Sequence, residues 1–194
     1  MPAKALNMHF PNYLLMNGAS LSLKLGMRKL WSDHVFWTRM YVVSAVGNSP
    51  DTDATAGRLL KNQDDIGNAI VPFYGKDAGV ALTGLLKQHI MIAVQLIAAA
   101  KSGDQAKFKE EDQKWTKNAE EIATLLSGAN PSWPKADVVD LLNQHLALTK
   151  GEVVARLTKN WDTDVKAFDD IFTEINTVAD VLSDGIIKQF PSKF

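Results

Sequence analysis

The sequence predicts an all-α protein, a bundle of about six helices built from three repeated αα-hairpins. Three observations predict it. Apolar residues recur at steps of three and four along most of the chain, the spacing that lines one face of a helix. No run of alternating apolar and polar residues is long enough for a useful strand. A histidine also returns in the same setting at His34, His89 and His145, at a nearly constant interval. A fixed period of this kind, here about 56 residues, marks one supersecondary unit used repeatedly. The chain reads Leu85-Leu86-Lys87-Gln88-His89-Ile90 and then Leu141-Leu142-Asn143-Gln144-His145-Leu146. Sliding the first unit onto the third, so that His34 falls on His145, matches Leu30, His34, Thr38, Val42, Val43, Asp51, Thr52, Asp53 and Ala56 to identical residues.

Residues 1–20 contain Pro2, Pro11, Asn12, Asn17 and Gly18 and read as an irregular arm. Its one apolar clump, Tyr13 to Met16, makes the arm the candidate contact for a second copy or a protein partner. Residues 21–194 form a single bundle domain. The first helix spans about 21–47, with Leu30, Trp31, His34, Thr38, Tyr41, Val42 and Ala45 on one stripe. Ser49 is placed to cap the second, Pro50 suits its first position, and Asp51 and Asp53 suit its positive end. That helix ends near Val71, where Pro72 and Gly75 break it. The third runs from about Asp77 to Ser102 and stops at Gly103, and the fourth from about Asp104 to Ser127. Gly128 to Pro134 is the clearest loop. The fifth helix follows from Lys135, with a weak point at Thr149-Lys150-Gly151-Glu152, which has the form of a capping box. The sixth starts near 162 and continues towards Ile187, before the tail from Gln189 to Phe194.

The composition narrows the function classes. With 194 residues, 46% apolar and 22% charged, the chain has the make-up of a folded soluble domain and can bury a core. A net charge of −1 gives no electrostatic footprint for nucleic acid. There is no cysteine, which excludes thiolate nucleophiles, disulfides and Cys-ligated zinc. The longest strongly apolar charge-free segment, Ile90 to Ala100, is well short of the roughly 20 residues of a membrane span. The N-terminus lacks the layout of a secretory signal, so a cytoplasmic location is the default expectation. Neither a Gly-rich phosphate loop nor a Gly-x-Ser-x-Gly elbow is present.

The polar residues inside the apolar stripes are the candidates for a site. In an antiparallel hairpin, residues equally far from the turn face each other. That reasoning sets Asn62 opposite His34. The corresponding positions of the next two units are Asn118, opposite His89, and Glu174, opposite His145. Asp33, Gln63, Asp65, Gln88, Gln144 and Glu121 flank them within one turn. On one reading the pairs only fix helix register, since a buried imidazole needs a hydrogen-bond partner. On the other, His34, His89, His145 and Glu174 bind a metal, with Asn62 and Asn118 holding the imidazoles in place. Three imidazoles and a carboxylate suit Zn, Fe or Mn. Against it, the Glu-x-x-His spacing of di-iron bundles and the His-Glu-x-x-His motif are both absent. An organic ligand or a polar cleft used by a partner is the remaining option. The five tryptophans, Trp31, Trp37, Trp115, Trp133 and Trp161, read as core rather than as a ligand cage, and Arg39 reads as solvent-facing, with a carboxylate partner as the alternative.

Four segments carry a resemblance. They are Leu30-Trp31-Ser32-Asp33-His34-Val35-Phe36-Trp37-Thr38-Arg39, Asn62-Gln63-Asp64-Asp65-Ile66-Gly67, Trp115-Thr116-Lys117-Asn118-Ala119 and Gln189-Phe190-Pro191-Ser192-Lys193-Phe194. With them the chain resembles an uncharacterised bacterial all-helical family over most of residues 30–194. The resemblance implies the same helical fold. Some members are labelled glycosyltransferase or amino-acid kinase, and the nucleotide-binding motifs those labels require are missing here.

Overall fold

The computed structural model describes residues 17–194, and the arm expected at the N-terminus lies almost wholly outside them. The described residues form α1 (Gly18–Gly47), α2 (Thr52–Tyr74), α3 (Lys76–Ser102), α4 (Gln105–Ala129), α5 (Lys135–Leu157) and α6 (Trp161–Gln189). A 3-10 turn, Pro191–Lys193, follows, and no strand occurs among these residues. The expected all-α bundle of six helices is the fold.

The helix ends show which local signals the chain uses. Helix α1 starts earlier than expected because the Asn17 side chain accepts from the Ser20 amide at 2.9 Å, so residues 18–20 are helical. Helix α2 starts at Thr52 rather than at Pro50. Leaving α1 takes a left-handed Asn48 (φ 55), and the Ser49 amide then closes back on the Ser44 carbonyl at 2.9 Å. The following residues are spent in that turn. Pro72 lies in the last turn of α2 without ending it, since it forfeits only its own amide bond there, and the helix stops at Gly75 (φ 84). Helix α4 continues through Gly128 to Ala129. The weak point expected in α5 does not exist. The helix is unbroken from Lys135 to Leu157, and Glu152, read as the closing residue of a capping box, is buried and bonded to Arg39 instead.

Each helix packs on the next in sequence, and α6 returns against α1 to close a ring; α1, α3 and α5 also meet one another inside it. Ion pairs seal the closure, with Lys24 2.6 Å from Asp184 and Arg28 Nε 2.8 Å from Asp180. One apolar cluster fills the bundle around Trp31, Leu86, Trp115, Ile122, Leu142 and Val178. A second lies towards the C-terminal ends of α1, α3 and α5, around Tyr41, Val42, Leu59, Ile90, Ile97 and Val153. Helix α3, with a mean hydropathy of 1.5 over its most apolar window, is long and apolar enough to cross a membrane. Here it packs between α2 and α4 and supplies both clusters.

Two contacts bring backbones unusually close. Gly67 of α2 meets Gly79 of α3, where a Cβ on either would stand 2.7–2.8 Å from the other's carbonyl oxygen. Trp133 lies on Gly185 and donates its indole N–H to the Val181 carbonyl at 3.2 Å. The C-terminal hexapeptide works as a clasp. Gln189 accepts from Tyr74 Oη at 2.8 Å and donates to the Ala129 carbonyl at 3.0 Å. Lys193 caps the Pro72 carbonyl at 2.8 Å, and Phe194 stacks on Phe73.

Candidate functional site

The helix stripes carry His34, His89 and His145 inward on α1, α3 and α5, the three helices that meet in the middle. All three are buried, at 3%, 4% and 4% exposure. Each sits about three and a half turns before the C-terminal end of its helix, so they form one layer. The His34 and His145 ring centroids are 5.6 Å apart, and those of His89 and His145 are 6.5 Å apart. Three histidines from three separate helices therefore converge.

Each imidazole is held through Nδ1 by a side chain 29 residues further on, in the following helix. Asn118 Oδ1 lies 2.9 Å from His89 Nδ1, and Glu174 Oε2 lies 3.0 Å from His145 Nδ1, the two facing residues expected. The first pair needs correcting. The partner of His34 is Gln63, at 3.3 Å, and not Asn62, which instead donates to the Leu30 carbonyl at 3.0 Å. Gln63 precedes Asn118 by the same step that separates His34 from His89, whereas the expected Asn62 stands one position too early. One position is about 100° around a helix, enough to change which side chain reaches the ring. Glu174, expected as a metal ligand, stands behind His145 as its hydrogen-bond acceptor.

The network also assigns the ring protons. Asn118 Nδ2 donates to the Leu85 carbonyl at 3.1 Å, so its Oδ1 accepts and His89 carries a proton on Nδ1. The Glu174 carboxylate likewise accepts from His145 Nδ1–H. Gln63 reverses the sense. Its Nε2 donates to the Leu59 carbonyl at 2.8 Å, so an N–H group faces His34 Nδ1, and the ring proton of His34 sits on Nε2. No Nε2 atom of the three has a hydrogen-bond partner among the described residues. Burial, with the nearby His145 and His89 adding to it, drives the His34 pKa well below its ordinary value. Burial, with His145 adding to it, takes His89 down to about 3. Both are neutral at physiological pH.

Two cavities of about 10 Å³ flank the layer. That is about the least space one water fills, and it excludes an organic ligand. Trp31, Leu86, Ile122, Leu142, Ile175 and Val178 wall one of them. Thr38, Tyr41, Trp115 and Thr149 stand with the three histidines around the other. Five polar atoms in or next to the layer are buried without a partner: Gln63 Oε1, Glu174 Oε1, Trp31 Nε1, Trp115 Nε1 and Thr149 Oγ1. Among the described residues, no group of three or more His, Asp or Glu side chains is arranged to hold a metal ion as it stands.

A second polar cluster escaped the sequence reading. Arg39 is not solvent-facing. Its guanidinium bonds both oxygens of Asp164, with Nη2–Oδ2 at 2.7 Å, and reaches Glu152 Oε1 at 2.7 Å. Arg156 adds a fourth cation–carboxylate bond, to Asp164 at 3.0 Å. Burial raises the Glu152 pKa against the pull of Arg39. Burial also opposes ionisation of Asp164, but the hydrogen bonds from Arg39 and Arg156 outweigh it and hold that pKa low. The knot ties α1 to α5 and α6. Its members lie 113 and 125 residues apart, and no local pattern announces them. Of the five tryptophans, Trp31, Trp115 and Trp133 are core as expected, while Trp161 is half exposed under Arg156.

The fold and site together define a closed six-helix bundle with a buried layer of three imidazoles. Compared with known protein families, with curated proteins and with solved structures, the chain matches none of them.

Proposed function

We propose that this bundle is a metal-binding protein whose histidine layer takes up one divalent cation of the Zn, Fe or Mn class. The ligands are the Nε2 atoms of His34, His89 and His145. Glu174, Asn118 and Gln63 stand behind them and fix the rings. One observation carries this reading: all three rings are tied through Nδ1 to the following helix, and His89 and His145 donate from it, which leaves Nε2 of those two for an ion, as in oriented metal-binding histidines. The adjoining cavities have room for an ion or a water and for nothing larger. Imidazoles around one zinc have centroids about 5 Å apart, so uptake draws the rings together by about 1 Å. It also requires the His34 proton to move to Nδ1 and the Gln63 amide to turn its unpartnered Oε1 towards it. The segments that resemble the bacterial all-helical family hold His34, Gln63 and Asn118 of the layer, Gly67 and the C-terminal clasp, and membership of that family is part of the proposal.

The test is elemental analysis of protein purified without a histidine tag, followed by titration with Zn and Co(II). One equivalent should bind, and His89→Ala or His145→Ala should abolish it. Gln63→Glu gives His34 the same acceptor that His145 already has, and it should tighten binding about tenfold or more. The reading is lost if none of Zn, Fe, Mn or Co(II) binds stoichiometrically.

A second reading has its own observation. An N–H of Gln63 faces His34, the wrong partner for a ligating tautomer. In that case the layer is a registry device inside a scaffold or interaction module. Gln63→Glu would then change stability and bind no metal.

A further inference from the structure

Helix α6 carries an apolar stripe along its whole length, and only half of that stripe is covered. From Trp161 to Ile186 its apolar residues follow at alternating steps of four and three, the spacing of a helix seam that packs on a neighbour. In the C-terminal half, Ile175, Ala179, Leu182 and Ile186 are at most 5% exposed. In the N-terminal half, Trp161, Val165 and Phe172 are 42–57% exposed. The Lys24–Asp184 and Arg28–Asp180 ion pairs set the antiparallel register of α1 on α6. The same register puts the exposed Phe36 level with Phe172, and the end of α1 level with Trp161. Leu25, also exposed, lies on the same outer face of α1, about three turns before Phe36. The three exposed aromatic rings alone make a patch of roughly 300 Å², a size that marks an interaction site. Its rim is acidic. Lys166 is taken by Asp170, while Asp162 and Asp169 are exposed and have no ion-pair partner among the described residues. Two copies of the face would bring these carboxylates together, so charge argues against self-pairing and for an occupant that carries a cation.

Residues 1–16, which lie outside the described residues, answer that description. They include Leu6, Met8, Phe10 and the clump from Tyr13 to Met16, carry Lys4, and hold no Asp or Glu. They join α1 through Asn17, at one end of this face. Extended chain spans about 3.3 Å per residue, so these residues reach up to about 53 Å. A helix rises about 1.5 Å per residue, which puts Phe36 about 28 Å from Asn17 and the end of α1 about 45 Å away. On that scale Tyr13 to Met16 reach Leu25, Met8 and Phe10 reach the level of Phe36 and Phe172, and Lys4 reaches Asp162. We propose that residues 1–16 fold back along the α1–α6 seam of their own chain and cover the open half of the α6 stripe, with Lys4 beside Asp162. Attachment through Asn17 gives this contact a local concentration that a second copy lacks. The proposal does not depend on the histidine layer.

The absence of cysteine from the chain allows a clean crosslinking test on the full-length protein. His9→Cys is combined with Thr173→Cys, at an exposed position beside Phe172, and treated with a short bismaleimide. The control combines His9→Cys with Gly57→Cys on α2, exposed and at a similar height next to the Arg58–Asp33 pair but off the face. The Thr173 pair should close within one chain at least tenfold faster than the control. Phe36→Ser changes an exposed side chain, so the variant should fold, and it should slow that closure at least threefold. Equal rates for the two pairs, or no effect of Phe36→Ser, would overturn the proposal. Crosslinks formed only between two chains would overturn it as well and give the face to a second copy.

Discussion

Glu174 is a buried carboxylate with one oxygen on His145 Nδ1 and the other unpartnered. Its position is tolerable only while the imidazole is there. His145→Ala leaves the charge with no partner in a site of about 6% exposure, and breaking a buried pair from one side costs about 3–5 kcal/mol. Replacing Glu174 by Leu as well removes the stranded charge and should recover most of that loss. Urea denaturation of the two single variants and the double variant measures the coupling. Additive effects would mean the pair is not a unit. Asn62 and Gln63 show why such partners were only partly legible. Both are buried polar residues on consecutive positions of α2, and both bond towards the α1 stripe, Asn62 at Leu30 and Gln63 at His34. A periodic pattern points to the right turn of a helix, but which of two adjacent amides meets the ring depends on a rotation of about 100°. His89 and His145 were easier because only one polar residue on the facing stripe fits each.

At the scale of the elements, the α2–α3 contact rests on two glycines. A methyl on Gly67 would come within 2.7 Å of the Gly79 carbonyl oxygen as well as striking Thr83 Oγ1. The threonine can rotate away, but a carbonyl inside a helix cannot. Gly67→Ala should therefore push α2 off α3 and lower stability by about 1–3 kcal/mol, despite the better helix propensity of alanine. A lower urea midpoint with an unchanged slope is the expected result, and a rise in stability would show that the helices separate freely. The helices themselves were largely readable because their stripes repeat over six or more turns. Their ends were less so. The Thr149-to-Glu152 motif has the residues of a capping box, but Arg39, 113 residues earlier in sequence, claims the glutamate, and α5 continues. Local capping energies are about 1 kcal/mol, and a buried ion network easily overrides them. The bundle was legible from periodicity. The Arg39–Glu152–Asp164 knot was not, because it joins helices that only the closed ring brings together.

For the whole molecule, the layer makes folding depend on pH with a definite sign. His34 and His89 are buried and neutral, with folded pKa values below the unfolded value of about 6.5. Above pH 6.5 neither state binds these protons, and stability is level. As pH falls below 6.5 the unfolded chain takes up two protons that the folded bundle refuses, so stability is lost progressively towards the folded pKa values, about 3 for His89. Each histidine contributes a slope of up to about 1.4 kcal/mol per pH unit in that window. Glu152 works the other way, because its raised folded pKa means that protonation favours the bundle as pH drops through it. Asp164, held low, loses its contribution only below the unfolded carboxylate range. The histidine slope should therefore be clearest between about pH 6.5 and 5, where the unfolded chain takes up the histidine protons and Asp164 is still ionised. Denaturant midpoints at pH 7.5, 6 and 5 should fall steadily, and His89→Asn should remove about half of the pH dependence while leaving the fold helical by circular dichroism. Equal stability at pH 7.5 and 5 would contradict a neutral buried layer. A bound divalent cation would steepen the same trend, since protons and metal compete for the imidazoles. Adding Zn at pH 7.5 should then raise the midpoint more than at pH 5, a difference that a purely structural histidine layer cannot produce.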